Sequence, residues 1–265
     1  MFKLSKAQFF RNMIQIIVLV WLLVAPYINL FRLDITFRMF YLFGKGYSFS
    51  EAMLFFYAFM GMAALLFILA VFLGRILCGW VCPYNTTQEF FSRVFLMKPQ
   101  KPWKVVFYYF LVFVVSLVAA TSLEAYFIHP KYLLYLLKAG QFRMETILLF
   151  SLFVGFLLLF LRMRHQFCKG YCPYAAFQMV LSRKPVRVVF DVDHQDDCLD
   201  CEMCQNVCHM GIDPRDMDIE YCVACGKCID GCKSIVSSNH LSHLLSYKKI
   251  THDEYERRKK EYFKN

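Results

Sequence analysis

The sequence predicts a two-part protein, in which an all-α membrane domain of four transmembrane helices is followed by a small α+β domain rich in cysteine. Of its 265 residues, 58% are hydrophobic and only 19% are charged, against about 45–50% and about 25% in an ordinary soluble domain. Residues 1–189 carry a net charge of +15, whereas residues 190–232 carry −9. Eight of the twelve cysteines lie between Cys198 and Cys232. These observations exclude both a compact water-soluble protein and a disordered chain.

Four stretches without charged side chains predict the membrane helices of the first domain, at about 12–31, 52–74, 105–123 and 146–161. Three of them reach the roughly 20 residues that cross a bilayer. The fourth is shorter, but Arg162 and Arg164 follow it and can extend their charged ends to the lipid headgroups. Buried helices of a soluble protein would need a polar face, which these segments do not offer.

The distribution of lysine and arginine predicts the orientation of these helices. Fourteen of these residues flank one side of the membrane and six flank the other, and the richer side is expected to be cytoplasmic. The N-terminus, the connection between the second and third helices, and everything after the fourth helix are therefore predicted to be cytoplasmic. Ala25-Pro26 is a poor cleavage site, so the first helix is expected to remain as an anchor.

An internal duplication relates the two halves of the membrane domain at an offset of 90 residues. The segments 78–93 and 168–183 share seven of sixteen positions, including Cys-x3-Cys-Pro-Tyr. A pseudo-two-fold axis along the membrane normal would bring four thiols together at the cytoplasmic edge. These four form a possible additional redox site, holding a cluster or acting as thiols: Cys78, Cys82, Cys168 and Cys172. The alternative is that small apolar cysteines simply pack well at helix ends.

Two acidic residues, Asp34 and Glu124, occupy equivalent positions of the repeats at the outer ends of helices one and three. They are candidates for exchanging protons with a quinol, or they are ordinary solvated charges at the interface. The predicted spans contain no histidine, so we expect no haem held by two histidines within the membrane.

The strongest motif is a pair of cysteine runs with the spacing Cys-x2-Cys-x2-Cys-x3-Cys. This spacing is typical of bacterial ferredoxins with two 4Fe-4S clusters, in which the fourth cysteine of each run binds the other cluster. Zinc sites and covalent haem have different spacings. The first predicted ligand set is Cys198, Cys201, Cys204 and Cys232. The second predicted ligand set is Cys222, Cys225, Cys228 and Cys208.

Residues 190–240 are thus predicted to form a two-cluster ferredoxin-like domain. His209 and Lys233 replace the proline that usually follows the fourth cysteine of each run, which puts the cluster potentials more than the ligation in doubt. Residues 241–265 are predicted to form a basic helical tail, which either lies on anionic lipid or is simply solvated.

The two Cys-x3-Cys-Pro motifs, four spans and eight clustered cysteines resemble the NapH family of membrane iron–sulfur proteins, related to NosR, MauN and CcoG. The resemblance implies a bacterial cytoplasmic (inner) membrane protein, an electron-transfer subunit of a quinol dehydrogenase complex. Its expected partners are lipid, the quinone pool and a ferredoxin-like or cytochrome redox protein, but no nucleic acid. Two alternatives stay open: an assembly or maturation factor that reduces a metal ion for a respiratory enzyme, as CcoG suggests, and a redox sensor without turnover.

Overall fold

The computed structural model divides the chain into two compact units. The first unit contains Met1–Gln15, Leu65–Glu89 and His165–Asn265, and the second contains Ile16–Ala64 and Phe90–Arg164. The structure describes residues 5–35, 38–48, 52–96, 102–141, 143–181, 186–191, 196–215, 221–236, 244–250, 254, 257 and 260.

Helices dominate the described part of the chain. They are α1 (Lys6–Val24), α2 (Ala52–Leu73), α3 (Ile76–Trp80), α4 (Pro83–Leu96), α5 (Pro102–Ala125), α6 (Pro130–Lys138), α7 (Met144–Leu158), α8 (Arg164–Gln166), α9 (Pro173–Leu181), α10 (Met203–Asn206) and α11 (Lys227–Val236). The strands are β1 (Phe31–Asp34), β2 (Met39–Leu42), β3 (Lys45–Ser48), β4 (Val186–Phe190) and β5 (Leu245–Lys249).

Three helical segments among the described residues are long and apolar enough to cross a membrane: Lys6–Val24, Pro102–Ala125 and Met144–Gln178. The last of these extends well beyond the predicted 146–161, because the helix continues past its arginines through π-helical turns at Leu159–Met163 and Phe167–Tyr171. The second predicted span forms the 22-residue helix α2.

The first predicted span, 12–31, has the wrong ends. Helix α1 begins at Lys6 and ends at Val24, directly before Ala25-Pro26, because proline lacks the backbone donor that continues a helix and disfavours helical backbone in the residue before it. Asp34 therefore lies on β1, not at the end of a helix. Strands β1, β2 and β3 form an antiparallel sheet in that order, with Asp34 opposite Met39.

The core of the second unit forms where α5 packs against α6 and α7. Ala120, Leu133 and Leu149 are buried together there, and Phe113 meets Phe153 edge to face, with 5.1 Å between the ring centroids. The small side chain of Ala120 is fully buried at this contact, so α5 can approach its neighbours closely.

Replacing Ala120 by leucine should lower the free energy of unfolding by about 1–3 kcal/mol, because extra carbon atoms in a filled core force neighbouring side chains out of position. Denaturant unfolding of the full chain in detergent micelles measures this change. The matched control is Ala119→Leu, one position along on a partly exposed face, which should leave stability unchanged. Equal losses in both variants would contradict the assignment of Ala120 to the core.

In the first unit, β4 and β5 form an antiparallel pair in which Val188 lies opposite Tyr247. Strand β5 corrects the expectation that residues 241–265 are helical throughout: pairing with the buried β4 stabilises Leu245–Lys249 as a strand instead. Strand β4 also crosses the predicted division at residues 189 and 190. Glu254, Arg257 and Lys260 are helical, and the rest of the predicted tail beyond Ile250 lies outside the described residues.

Candidate metal centres

Two cavities in the first unit are each lined by four cysteines. One cavity is also lined by Val188, Met210 and Ile212; we call it the inner cavity because three of its cysteines are buried. Its cysteines are Cys208, Cys222, Cys225 and Cys228. We call the other the outer cavity, because Cys201, which lines it, is exposed. Its cysteines are Cys198, Cys201, Cys204 and Cys232.

The fold thus gives each cavity three cysteines from one run and one from the other, which are the two sets that the ferredoxin-like spacing predicts. No three His, Cys, Asp or Glu side chains among the described residues converge as ligands of one metal ion would. Four sulfurs spread around a cavity instead suit a group of several atoms, such as a cluster. Ligation itself stays a prediction.

The two runs have the same unusual backbone. Asp200 and Ala224, which are equivalent in the two runs, have φ angles of 48° and 50°. Two residues later, Glu202 and Gly226 also have positive φ, at 53° and 76°. Residues other than glycine rarely adopt this conformation, so its recurrence at both pairs of positions indicates that both loops are shaped for the same task.

Burial favours the protonated thiol form of several cysteines in these cavities. Burial raises the pKa of Cys225 to about 12 and that of Cys204 to about 11, and it raises the pKa of Cys228 well above its ordinary value. A thiol becomes a ligand by losing its proton, so metal binding here must release protons and depends on pH.

The four cysteines of the duplicated motifs also come together in the first unit. Burial, followed by the charge of Cys82, raises the pKa of Cys78 to about 12, and Cys172 and Cys168 contribute in the same direction. Neither motif forms one continuous helix. Both helices break at the second cysteine, Cys82 or Cys172, because a proline follows, and a new helix begins there.

Each motif places its tyrosine beside the first cysteine of the other motif. Tyr84 interacts electrostatically with Cys168, and Tyr174 interacts in the same way with Cys78. Gln178, from the second motif, lies with its Oε1 3.6 Å from the Sγ of Cys78. This exchange is what a pseudo-two-fold axis between the repeats requires, so the four-cysteine group is shared by both.

Polar atoms without partners lie in this region. Within the described part of the chain, neither the Oδ1 nor the Nδ2 of the buried Asn85 has a hydrogen-bond partner, nor does the Nη2 of Arg75. The backbone of Asn85 donates a hydrogen bond to Cys82, and the Arg75 guanidinium acts on both Cys78 and Cys168. Buried donors normally find acceptors, so this chemistry fits an electron-rich group held by the four sulfurs.

The sequence analysis did not predict a buried network of charged side chains at the N-terminal half of α1. Arg11 Nη2 lies 2.6 Å from Glu89 Oε1, and Lys227 Nζ lies 2.7 Å from the same oxygen. Burial alone would raise the pKa of Glu89, but Lys227 and Arg11 outweigh it and hold the pKa well below its usual range. Gln8, Arg11 and Gln15 recur at helical spacing within an apolar helix. This spacing of polar residues could have indicated that one face of α1 makes polar contacts with the rest of the protein.

His209 lies beside Cys225, one of the cysteines that line the inner cavity. Its Nδ1 lies 4.0 Å from the Sγ of Cys225, and its ring centroid lies 5.2 Å from that of His165. Burial lowers the pKa of His209 to about 3, so the imidazole beside the inner cavity is neutral.

In the second unit, Asp34 and Glu124 are both fully buried. Asp34 pairs with Arg32, with Nη2 and Oδ2 3.3 Å apart. The two oxygens of Glu124 have no hydrogen-bond partner among the described residues. Strand β1 is held near the end of α5, because the backbone N–H of Leu33 donates to the carbonyl of Tyr126 over 2.8 Å. The reading of either residue as a solvated interface charge is therefore wrong.

Comparison with known proteins identifies the chemistry of these motifs. The model of a 4Fe-4S binding domain matches residues 54–102 and 145–189, so each match includes one Cys-x3-Cys-Pro motif. The model of a 4Fe-4S dicluster domain matches residues 190–250, which include both cysteine runs. The ferredoxin-type protein NapH of Escherichia coli is 27% identical over 177 residues, which cover 61% of this chain and 60% of NapH. The chain is a ferredoxin-type iron–sulfur protein of the NapH type.

Two further relatives extend this NapH-type assignment. The putative electron transport protein YccM of Escherichia coli is 25% identical over 185 residues, which cover 62% of this chain and 50% of YccM. An uncharacterized protein of Methanocaldococcus jannaschii is 29% identical over 195 residues, which cover 69% of this chain and 77% of that protein. The match thus covers only half of the length of YccM, but more than two thirds of the Methanocaldococcus jannaschii protein. No solved structure gives a significant match.

The comparisons confirm the family that the motifs resembled. With the apolar helices, they support a membrane-associated iron–sulfur electron-transfer protein, and they do not favour the maturation-factor alternative.

Proposed function

We propose that this NapH-type protein passes electrons between membrane quinol and a partner redox protein, as a subunit of a quinol dehydrogenase complex in the bacterial inner membrane. The observation that carries the proposal is that one compact unit contains the two four-cysteine cavities and the four cysteines of the duplicated motifs. A protein built this way has sites for redox centres from the membrane edge to an exposed cysteine.

The inner and outer cavities each hold one 4Fe-4S cluster in this proposal. The inner cluster is bound by Cys208, Cys222, Cys225 and Cys228, and the outer one by Cys198, Cys201, Cys204 and Cys232. Such clusters supply one-electron transfer when bound. The protein excludes water from the inner cavity with the apolar side chains of Val188, Met210 and Ile212, and burial and hydrogen bonds to sulfur tune the potential of such a site.

Cys78, Cys82, Cys168 and Cys172 hold a further centre at the membrane edge. The unpartnered amide of Asn85 and the guanidinium of Arg75 support this assignment. Both are positioned to donate hydrogen bonds to an electron-rich group, and positive charge from Arg75 would offset the charge of four thiolates.

Quinol would bind within the membrane-spanning part of the protein. Helix α2 is the fourth membrane span, in addition to the three long apolar helices. The lysine and arginine distribution supports cytoplasmic termini and a cytoplasmic cluster domain. Glu124, which is buried and without a partner among the described residues, is the better candidate to accept a proton from quinol. Asp34, paired with Arg32, is the weaker candidate.

The test uses the anaerobically purified full chain in lipid nanodiscs. We expect a quinol analogue to reduce the iron–sulfur centres rapidly, as followed by their visible absorption and EPR signals, and we expect Glu124→Gln to slow this reduction. Reduction only by cytosolic electron donors, followed by reduction of an added metal ion, would contradict the proposal and favour the maturation alternative.

A further inference from the structure

Gly79, inside the first Cys-x3-Cys motif, makes an unusually close contact with the second cysteine run. A Cβ atom at position 79 would lie only 2.2 Å from the carbonyl oxygen of Val223 and 3.5 Å from the backbone nitrogen of Cys225. Because backbone atoms cannot move aside as a flexible side chain does, only glycine fits at this position.

Hydrogen bonds hold the two loops together at this contact. The indole Nε1 of Trp80 donates to the carbonyl of Ala224 over 3.2 Å. From α1, Gln8 donates to the carbonyl of Cys225 over 2.6 Å. Arg11 and Gln15 both donate to the carbonyl of Gly79, over 3.2 Å and 3.0 Å. One face of α1 therefore fastens the first motif to the loop that lines the inner cavity.

The same contact is absent, among the described residues, from the second motif and from the outer cavity. Lys169 occupies the position equivalent to Gly79, and a Cβ on the neighbouring Gly170 would meet nothing within 4 Å. Cys78 and Cys168 pack against an apolar cluster that contains Cys204 of the outer cavity and all three buried cysteines of the inner cavity. Cys201 of the outer cavity is exposed instead.

We propose that Gly79 and Trp80 are positioning residues that couple the membrane-edge cysteines to the inner cavity, and that the outer cavity, at Cys201, exchanges electrons with the soluble partner. The inference rests on the proposed function and adds the order in which electrons pass between the membrane-edge, inner and outer centres. Each transfer moves one electron from a reduced centre to an oxidised one, and no bond or proton changes.

The experiment compares Gly79→Ala with Gly170→Ala in the metal-loaded full chain in nanodiscs. In Gly79→Ala, we expect faster hydrogen–deuterium exchange in residues 221–228 and slower electron delivery from a quinol analogue to a soluble acceptor by about tenfold or more, since small misplacements of reacting groups are costly. Iron content should stay near that of the wild type. Gly170→Ala should match the wild type in all three measurements.

A second variant, Trp80→Phe, keeps an aromatic side chain but removes the indole N–H that donates to Ala224, so it gives a result even if Gly79→Ala does not fold. It should also increase exchange in residues 221–228. Wild-type exchange and electron delivery in Trp80→Phe, and in any folded Gly79→Ala, would overturn the inference. The proposed function fails separately, if the wild-type protein itself lacks iron or is not reduced by quinol.

Discussion

Replacing Cys208 by serine should empty the inner cavity, although the other three cysteines of its run line the outer one. The two proposed clusters account for about eight iron atoms, to which any membrane-edge centre adds, and we expect the variant to lose about four. Cys232→Ser is the reciprocal change and should empty the outer cavity. Iron analysis and EPR spectroscopy of the anaerobic protein measure both losses.

Double variants make this prediction sharper. If Cys208 and Cys225 serve the same cluster, Cys208→Ser combined with Cys225→Ser should lose no more iron than either change alone. Cys208→Ser combined with Cys201→Ser should lose the iron of both cavities, since the two cysteines line different ones. Interacting sites are non-additive and independent sites are additive. The opposite pattern would show that each run holds its own cluster.

Glu89→Gln should lower the free energy of unfolding by about 3–5 kcal/mol, because removing one partner leaves buried charges uncompensated. Arg11 is completely buried and depends on Glu89 for its ion pair, and Lys227 shares the same carboxylate oxygen. Denaturant unfolding of the metal-loaded protein measures the loss. Asp196→Asn, at an exposed position of the same unit, is the control and should change stability little.

The effect of Glu89→Gln should also depend on pH. Lys227 and Arg11 hold the pKa of Glu89 well below its usual range in spite of burial. A depressed pKa stabilises the folded state above the unfolded value of about 4.3, and this stabilisation is lost as the pH falls toward the folded value. The difference between wild type and variant should therefore be constant from neutral pH down to about 5 and shrink below about 4. A difference that grows on acidification would contradict the assigned ionisation.

Local sequence patterns predicted the cysteine sets and most helices, because their chemistry depends on spacing along the chain. The spacing of Cys198–Cys232 specifies ligands for a cluster, and long charge-free runs specify helices that lipid can surround. The ends of α1 were predictable only in part. Pro26 indicates where the helix ends, but the start at Lys6 was missed because the charge of Arg11 ends the uncharged stretch at residue 12.

The rest depends on distant contacts, which a sequence does not show. Arg11 is tolerated in α1 because Glu89 and Lys227 meet it from far along the chain. Likewise, β5 exists because β4 pairs with it, although its residues alone suggested a helix. Gly79 was unremarkable in the sequence, and only the closeness of Val223 shows why it is glycine.

The hydrogen bonds from the start of α1 to the second cysteine run also determine when the first unit can finish folding. The N-terminal residues leave the ribosome first, but Gln8 and Ser5 bond to Cys225 and Asp230, which are translated near the end. Chains otherwise tend to fold from the N-terminus as they are made. The first unit can therefore complete these contacts only after residue 230 has been translated.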